Sequence, residues 1–347
     1  MTVQTTSSRR TLLLAGMAAP MLAGSGLSAP GETPGTPTGP ITIRLGGYGP
    51  PQTGFSRGLK LIGDRLKTKF REAVDVKYVY NILDLGYRGE DILWLVESGL
   101  LTLGYQSSSY MTDRVSEIGI LDLPFLFGDT PAARSAMDGE LGRALAGIIE
   151  GKMDYRILGW FENGFRHISN RSRPIRLPGD MAGMTIRVLP SDVQARTFAL
   201  LGAVPQRMDL SDLIARVKAG TIDAQENPLA NTVTYGVHKF HRFHTLSGHF
   251  YLSRPIFLNR AAFDGWPLEL QAEMRAAVAD AVTFQRGTVA QEDADARAAI
   301  IAEGGEILTP TPDEHAAFSA AVKPLYAELH DIFPAELRAM TSLYRQP

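Results

Sequence analysis

The sequence predicts an α/β protein of two lobes, each a sheet flanked by helices, and three observations carry that reading. From Ile41 onward short β-like runs alternate with longer helical ones, the pattern of βαβ units built on parallel sheets. The alternation starts afresh near Arg156, so two such units follow one another. With 347 residues, 44% of them hydrophobic, the chain is long enough for two domains of roughly 150 residues each.

Ahead of the first strand, residues 1–29 hold no acid and carry Ser8-Arg9-Arg10-Thr11-Leu12-Leu13, an apolar run from Leu12 to Ala23 and a small-residue stretch ending at Ala29. This order is that of a bacterial export signal, of the twin-arginine type. The run is broken by Gly16 and Pro20 and falls short of the roughly 20 residues needed to cross a bilayer, so a membrane anchor is the lesser reading. Residues 30–40, with four prolines and three glycines, read as a linker.

Ile41 to Leu45 alternates with period two, and Phe55, Leu59, Ile62, Leu66 and Phe70 recur at helical spacing. Val74 to Tyr80 is β-like, Arg88 to Ser98 helical, and Leu101 to Tyr105 β-like. After the apolar connection Leu123 to Phe127, Pro131 to Glu150 reads as one helix. The second series has strands at Arg156 to Phe161, Met184 to Leu189 and Ile222 to Gln225, with helices at Asp192 to Leu201, Ser211 to Ala219 and from Pro228. His249 to Leu258 is β-like and lets the chain cross back, which places the lobes at 41–163 plus 251–290 and 164–250 plus 291–347. Trp266 to Ala302 has apolar residues at helical spacing and no proline after Pro267; it reads as one long helix, bent at Gly287. Two lobes with several crossovers form a cleft that closes by a hinge.

Composition removes several classes of function. There is no cysteine, hence no disulfide framework, thiolate nucleophile or cysteine metal site. Against 37 acidic residues stand 35 basic ones, which is no footprint for nucleic acid. Removal of 1–29 leaves 33 basic and 37 acidic residues, so the mature chain carries a net charge of −4.

Arg187 is the most informative single residue. In Met184-Thr185-Ile186-Arg187-Val188 the alternation places it opposite the apolar face of a strand that is covered on both sides, so its guanidinium is either paired or looks into a cleft. A structural salt bridge and a two-pronged grip on a ligand carboxylate both satisfy that demand. Asn227-Pro228 reads first as the cap and first residue of a helix, and second as an amide within reach of a ligand oxygen. His238, His241, His244 and His249 crowd into twelve residues, but steps of three drift around a helix and no carboxylate completes a zinc set. Gln106 to Ser109 follows a predicted strand without the Gly-x-Ser-x-Gly elbow of a nucleophile, and the glycines at 46–49 fit no dinucleotide fingerprint.

Gly159-Trp160-Phe161-Glu162-Asn163-Gly164-Phe165-Arg166-His167-Ile168-Ser169-Asn170, Pro178-Gly179-Asp180-Met181-Ala182-Gly183-Met184-Thr185-Ile186-Arg187-Val188, Leu201-Gly202-Ala203-Val204-Pro205 and Gly220-Thr221-Ile222-Asp223-Ala224-Gln225-Glu226-Asn227-Pro228 together resemble the solute-binding proteins of tripartite ATP-independent periplasmic (TRAP) transporters. The resemblance implies a periplasmic-binding-protein-like fold in which the long helix from Trp266 spans both lobes. It implies that Arg187 holds a ligand carboxylate, that Arg166 supplies a second cationic contact and that Asn227 bonds the same end of the ligand. The family takes up an extracytoplasmic organic acid, such as a C4-dicarboxylate, sugar acid or hydroxy acid, and delivers it to a membrane permease, with no bond made or broken. No cofactor or metal is expected, nucleic acid is not a partner, and the chain is periplasmic rather than membrane-spanning. Further pocket candidates, Tyr48, Gln106 and Ser108, rest on their positions after strands. Glu162 has three readings: pairing with Arg166, accepting from a ligand hydroxyl, or facing solvent at the hinge. An exported enzyme and a sensory module on the same fold are the alternatives.

Overall fold

The computed structural model describes residues 39–342; the expected export signal and most of the linker lie outside the described residues. The chain runs β1 (Ile41–Gly46), α1 (Gly54–Phe70), β2 (Val74–Val79), α2 (Asp91–Glu97), β3 (Leu103–Tyr105), α3 (Thr130–Asp138), α4 (Glu140–Lys152), β4 (Tyr155–Asn170), β5 (Thr185–Val188), α5 (Asp192–Leu200), β6 (Val204–Arg207), α6 (Leu210–Ala219), β7 (Ala224–Asn227), α7 (Leu229–Thr234) and β8 (Phe243–Asn259). It finishes with α8 (Arg260–Asp264), α9 (Leu268–Ala302), β9 (Glu306–Leu308), α10 (Pro312–Val322), α11 (Pro324–Glu328) and α12 (Ala335–Ser342).

The two sheets expected from the sequence are the two ends of one hydrogen-bonded sheet of order β2-β1-β3-β8-β4-β7-β5-β6, with β9 beside β8. β2, β1 and β3 are parallel, as are β6, β5 and β7. Between these ends runs the antiparallel pair β4 and β8, 16 and 17 residues long. The sequence pattern shows only part of each strand, Arg156 to Phe161 and His249 to Leu258. Their outer segments mix polar residues such as Glu162, Asn163 and Arg166 into the apolar pattern, which masks the period-two signal. The pair is interrupted by register shifts at Ile157/Gly159, Glu162/Gly164 and Arg166/Ile168, and Gly164 and Gly248 hold φ of 86° and 56°. Bulges of this kind bend and twist a ribbon, so the strands that join the two ends also change direction between them.

The helix expected over 131–150 is two helices. Gly139 has φ −89° and ψ −148°, and a Cβ on Gly142 would stand 1.8 Å from the Met137 carbonyl oxygen, so the chain turns tightly at 139–142. The strand expected at 222–225 is displaced to Ala224–Asn227; just ahead of it the Asp223 carboxylate accepts from Thr185 N and Oγ1 at 3.0 and 2.7 Å. Past Ala302 the sequence reading names no element, yet α10 begins with a capping box, Thr311 and Glu314 bonding each other's backbone N–H.

One apolar cluster covers the β1–β3 end and is built from residues such as Ile43, Leu45, Leu59, Leu103 and Phe161. A second, with Ile186, Val188, Phe198 and Phe250, covers the β5–β7 end. The 35 residues of α9 make a rod of about 50 Å. Its first half packs against α1, with Lys69 2.9 Å from Glu273 and Arg65 paired to Glu273 and Asp280. Its second half buries Ala296 and Ile300 with Leu229 of α7. The long helix thus touches both ends of the sheet, as the resemblance implies. Among the described residues no helix is long and apolar enough to cross a membrane.

Candidate functional site

The C-terminal ends of parallel strands are where α/β sheets present loops and bind ligands. At one end of this sheet they carry Tyr48, two residues past β1, and Tyr105, the last residue of β3, followed by Gln106, Ser107, Ser108 and Tyr110. At the other end they carry Arg187 on β5 and Asn227, the last residue of β7. Polar contacts run from one end to the other. Gly89 N and Glu90 N donate to Asp209 at 3.2 and 2.9 Å, Arg88 reaches Asp212 at 2.8 Å, and Thr112 Oγ1 donates to Pro190 O at 2.8 Å. Asp209 stays ionised: burial would raise its carboxyl, but the N–H and O–H donors around it hold it below the usual carboxylate range.

Arg187 is 2% exposed. Its Nε donates to Met208 O at 3.0 Å and its Nη2 to Tyr110 Oη at 3.1 Å, and no carboxylate lies within ion-pair distance among the described residues. The structural salt bridge that the sequence left open for Arg187 is therefore absent, while the fork is fixed in direction by neutral oxygens. A guanidinium has five N–H donors, so most of them remain for an anion. Tyr110 Oη also accepts from Leu210 N at 3.1 Å. Burial pushes the Tyr110 phenol up, against the pull of Arg187, so it stays neutral.

Arg166 is placed differently. It is 1% exposed and pairs with Glu226 of the neighbouring strand, Nε and Nη2 gripping both carboxylate oxygens and Nη2 also the Glu226 carbonyl at 2.7 Å, which leaves the two N–H groups of Nη1 outside this pair. Burial acts to raise the Glu226 carboxyl and the Arg166 charge overcomes it, leaving it below the ordinary value. Of the three readings of Glu162, the pairing with Arg166 and the solvent-facing one are overturned, since the side chain is buried. Glu162 instead meets Arg134 at 2.6 Å and lines a cavity of about 930 Å³ with Arg286, Arg297 and His315, a cavity whose walls include none of Arg187, Arg166, Asn227, Ser108, Gln106 and Tyr48.

Asn227 does not cap the helix that follows. α7 starts from Pro228 without a side-chain cap, and Asn227 Nδ2 donates to Gln225 Oε1 at 2.6 Å. Gln225 continues to Ser169 Oγ at 2.7 Å and Ser169 to His241 Nδ1 at 3.0 Å. The histidine group belongs to this buried polar chain and its surroundings: His244 Nε2 meets His241 O at 2.9 Å, and His249 Nδ1 meets Ser247 Oγ at 2.7 Å. Gln106 is pinned by its neighbours, Nε2 donating to Gly89 O at 2.5 Å and Oε1 accepting from Ser107 N at 2.8 Å. Ser107 Oγ and Ser108 Oγ are buried without a partner among the described residues.

Sequence reasoning missed three side chains of this cluster: Tyr110, Tyr235 and Arg254. Arg254 stands on β8, 3% exposed, its Cζ 4.1 Å from the Phe55 ring centroid and 4.9 Å from that of Tyr48. Tyr235 lies within electrostatic reach of Tyr110 and of Arg254. The signal for Arg254 was present: it interrupts the apolar run Phe250 to Leu258 as Arg187 interrupts its own strand.

The profile of the bacterial extracellular solute-binding protein family 7 (DctP) matches residues 57–331. A solute-binding protein of Verminephrobacter eiseniae is 33% identical over 69% of this chain and 70% of its own. The C4-dicarboxylate-binding periplasmic protein of Rhodobacter capsulatus is 27% identical over 86% of this chain and 89% of its own. Among solved structures, a TRAP periplasmic solute-binding protein of Sulfurospirillum deleyianum with bound succinate superposes with a TM-score of 0.82 at 26% identity, covering 89% of this chain and 100% of that one. One of Polaromonas bound to D-erythronate gives 0.81 at 26% identity, covering 87% and 98%.

Proposed function

Since the chain belongs to family 7 of the bacterial extracellular solute-binding proteins, the binding components of TRAP transporters, we propose that it captures a carboxylate-bearing organic acid between the two ends of its sheet and hands it to a TRAP-type membrane permease. The observation that carries this reading is Arg187: a buried guanidinium, aimed by Met208 O and Tyr110 Oη, with no carboxylate within ion-pair distance among the described residues. An unpaired buried charge is costly, and a ligand carboxylate meets the fork with two parallel hydrogen bonds. The relatives named above point the same way, since C4-dicarboxylates, succinate and D-erythronate all carry a carboxylate.

In this reading Arg187 is the carboxylate clamp and Asn227 bonds the same end of the ligand. Arg166 holds β4 to β7 through Glu226 with Nε and Nη2 and supplies the second cationic contact with Nη1. Tyr48, Gln106 and Ser108 line the opposite wall. The lobes are 41–163 plus 251–290 and 164–250 plus 291–347, hinged where β4 and β8 change register. Residues 1–29 direct export to the periplasm and are removed there, and the protein makes and breaks no bond in its ligand.

A thermal-shift screen over dicarboxylates, uronates, aldonates, hydroxy acids and 2-oxo acids tests this. At about one hundred times its dissociation constant a ligand adds roughly 2.7 kcal/mol of stability, a readable shift. Shifts from neutral sugars or amines alone would rule out the clamp. NMR of the incubated hit is expected to show the ligand unchanged, and product formation would make the protein an enzyme.

A further inference from the structure

We propose that Arg254 is a second anion anchor, so that the ligand class is the small dicarboxylates, with one carboxylate for Arg187 and one for Arg254. This rests on the solute-binding reading given above and narrows it. Arg254 sits on β8 beside the C-terminal end of β3, where Tyr105 pairs with Ile256. Its guanidinium is boxed by rings from the same end of the sheet, with Cζ 4.1 Å from the centroid of Phe55, 4.9 Å from Tyr48 and 5.8 Å from Tyr105.

Arg254 is 3% exposed, its Nε has no hydrogen-bond partner, and among the described residues no carboxylate stands within ion-pair distance. Glu292, the acid that acts on it from farther off, accepts at Oε1 from Gly54 N at the start of α1. Ring faces attract a cation, but more weakly than the cost of taking an ion out of water. The comparison with Arg166 is direct. That arginine is equally buried and is gripped by Glu226 through both carboxylate oxygens, whereas Arg187 and Arg254 are both left without a counter-ion among the described residues. The ring box also fixes the plane of the guanidinium, which favours a flat, two-oxygen partner. Ser107 Oγ and Ser108 Oγ, buried and unpartnered after β3, supply hydroxyls for the same ligand.

The test compares paired probes that differ at one end: succinate with butyrate, and galactarate with galactonate, titrated calorimetrically into wild type, Arg254→Met and Arg187→Lys. Wild type is expected to bind the dicarboxylate of at least one pair roughly tenfold to a hundredfold tighter, the range for charge-assisted hydrogen bonds. In Arg254→Met, whose side chain still packs on the rings, that ratio collapses towards one. Should that variant fail to fold, Arg254→Lys, which keeps the charge and loses the fork, is expected to lower the same ratio. A wild-type ratio of one or below in both pairs, or a ratio retained in the variant, overturns the second anchor. Binding of monocarboxylates that Arg187→Lys abolishes, with a wild-type ratio of one, would leave the solute-binding reading standing and remove this inference alone. Absence of binding by any carboxylate would remove both.

Discussion

Arg166, Arg187 and Arg254 are the same side chain under three sets of neighbours, and the neighbours decide what each one does. Arg187 keeps its direction through Met208 O and Tyr110 Oη. Arg187→Lys keeps the charge but not the fork, so the affinity for a carboxylate ligand is expected to fall by about 2–3 kcal/mol, on the order of a hundredfold; wild-type affinity by calorimetry would return Arg187 to a structural role. Arg166 depends on Glu226, both fully buried. Glu226→Gln leaves an uncompensated charge in the core and is expected to cost about 3–5 kcal/mol of stability in urea unfolding. Arg187 was legible in the sequence because a cation opposite the apolar face of a covered strand must be paired or used. Its freedom from any carboxylate of the described residues was not, because a salt bridge joins residues that sequence spacing cannot bring together. Asn227 shows the same limit: Asn before Pro is a cap signal, but its amide went to Gln225, two residues back on the same strand.

At the scale of elements, the antiparallel pair β4 and β8 joins the two ends of the sheet and bends where Gly164 takes φ 86° and Gly248 takes φ 56°. Nothing but Glu162 Oε1, at 3.9 Å, lies near a Cβ built on Gly164, so Gly164→Ala isolates the backbone term. It is expected to cost about 1–2 kcal/mol, the penalty of a left-handed conformation for an L-residue, read as a lowered denaturation midpoint; an unchanged midpoint would mean the strand straightens at no cost. Most elements up to Ala302 were visible in the sequence, since apolar period and turn residues act locally. The division of 131–150 into α3 and α4 was hidden because Gly139 and Gly142 alter backbone direction without altering the apolar pattern. The capping box at Thr311 and Glu314 was readable and marks α10 by a local rule.

For the molecule as a whole, the buried histidines set the response to acid. Burial, reinforced by neighbouring cations, pushes His167 and His241 down to about 3, and burial pushes His244 down to about 4. Below the ordinary histidine value of 6.5 the unfolded chain therefore binds protons that the native chain refuses, so this stability is present above that value and is lost as the pH falls towards 4. The Glu226 carboxyl, lowered against its burial by Arg166, adds a loss of the same sign in the acid range. Asp122 opposes them: burial raises its carboxyl to about 6 despite donors from Ser109 and Gln194, and its contribution is lost as the pH rises through 6. Burial raises Glu90 and Glu292 as well, but Asp209, Asp223 and Glu117 are lowered beside Glu226 and the lowered groups outnumber the raised ones, so the melting temperature is expected to be lower at pH 4.5 than at pH 7, and an equal or higher value would show that the histidines titrate freely. By itself the sequence determined the α/β class, the paired lobes, the order of most elements and Arg187 as the residue to watch, all of which follow from local periodicity and from the cost of burying a charge. Only the tertiary structure decided that the two sheets are one, that Glu226 rather than Glu162 neutralises Arg166, and that Arg254 lies against the rings of Tyr48 and Phe55. Those outcomes depend on which distant segments meet, and in a buried site the partner, more than the residue, sets whether a charge is spent or free.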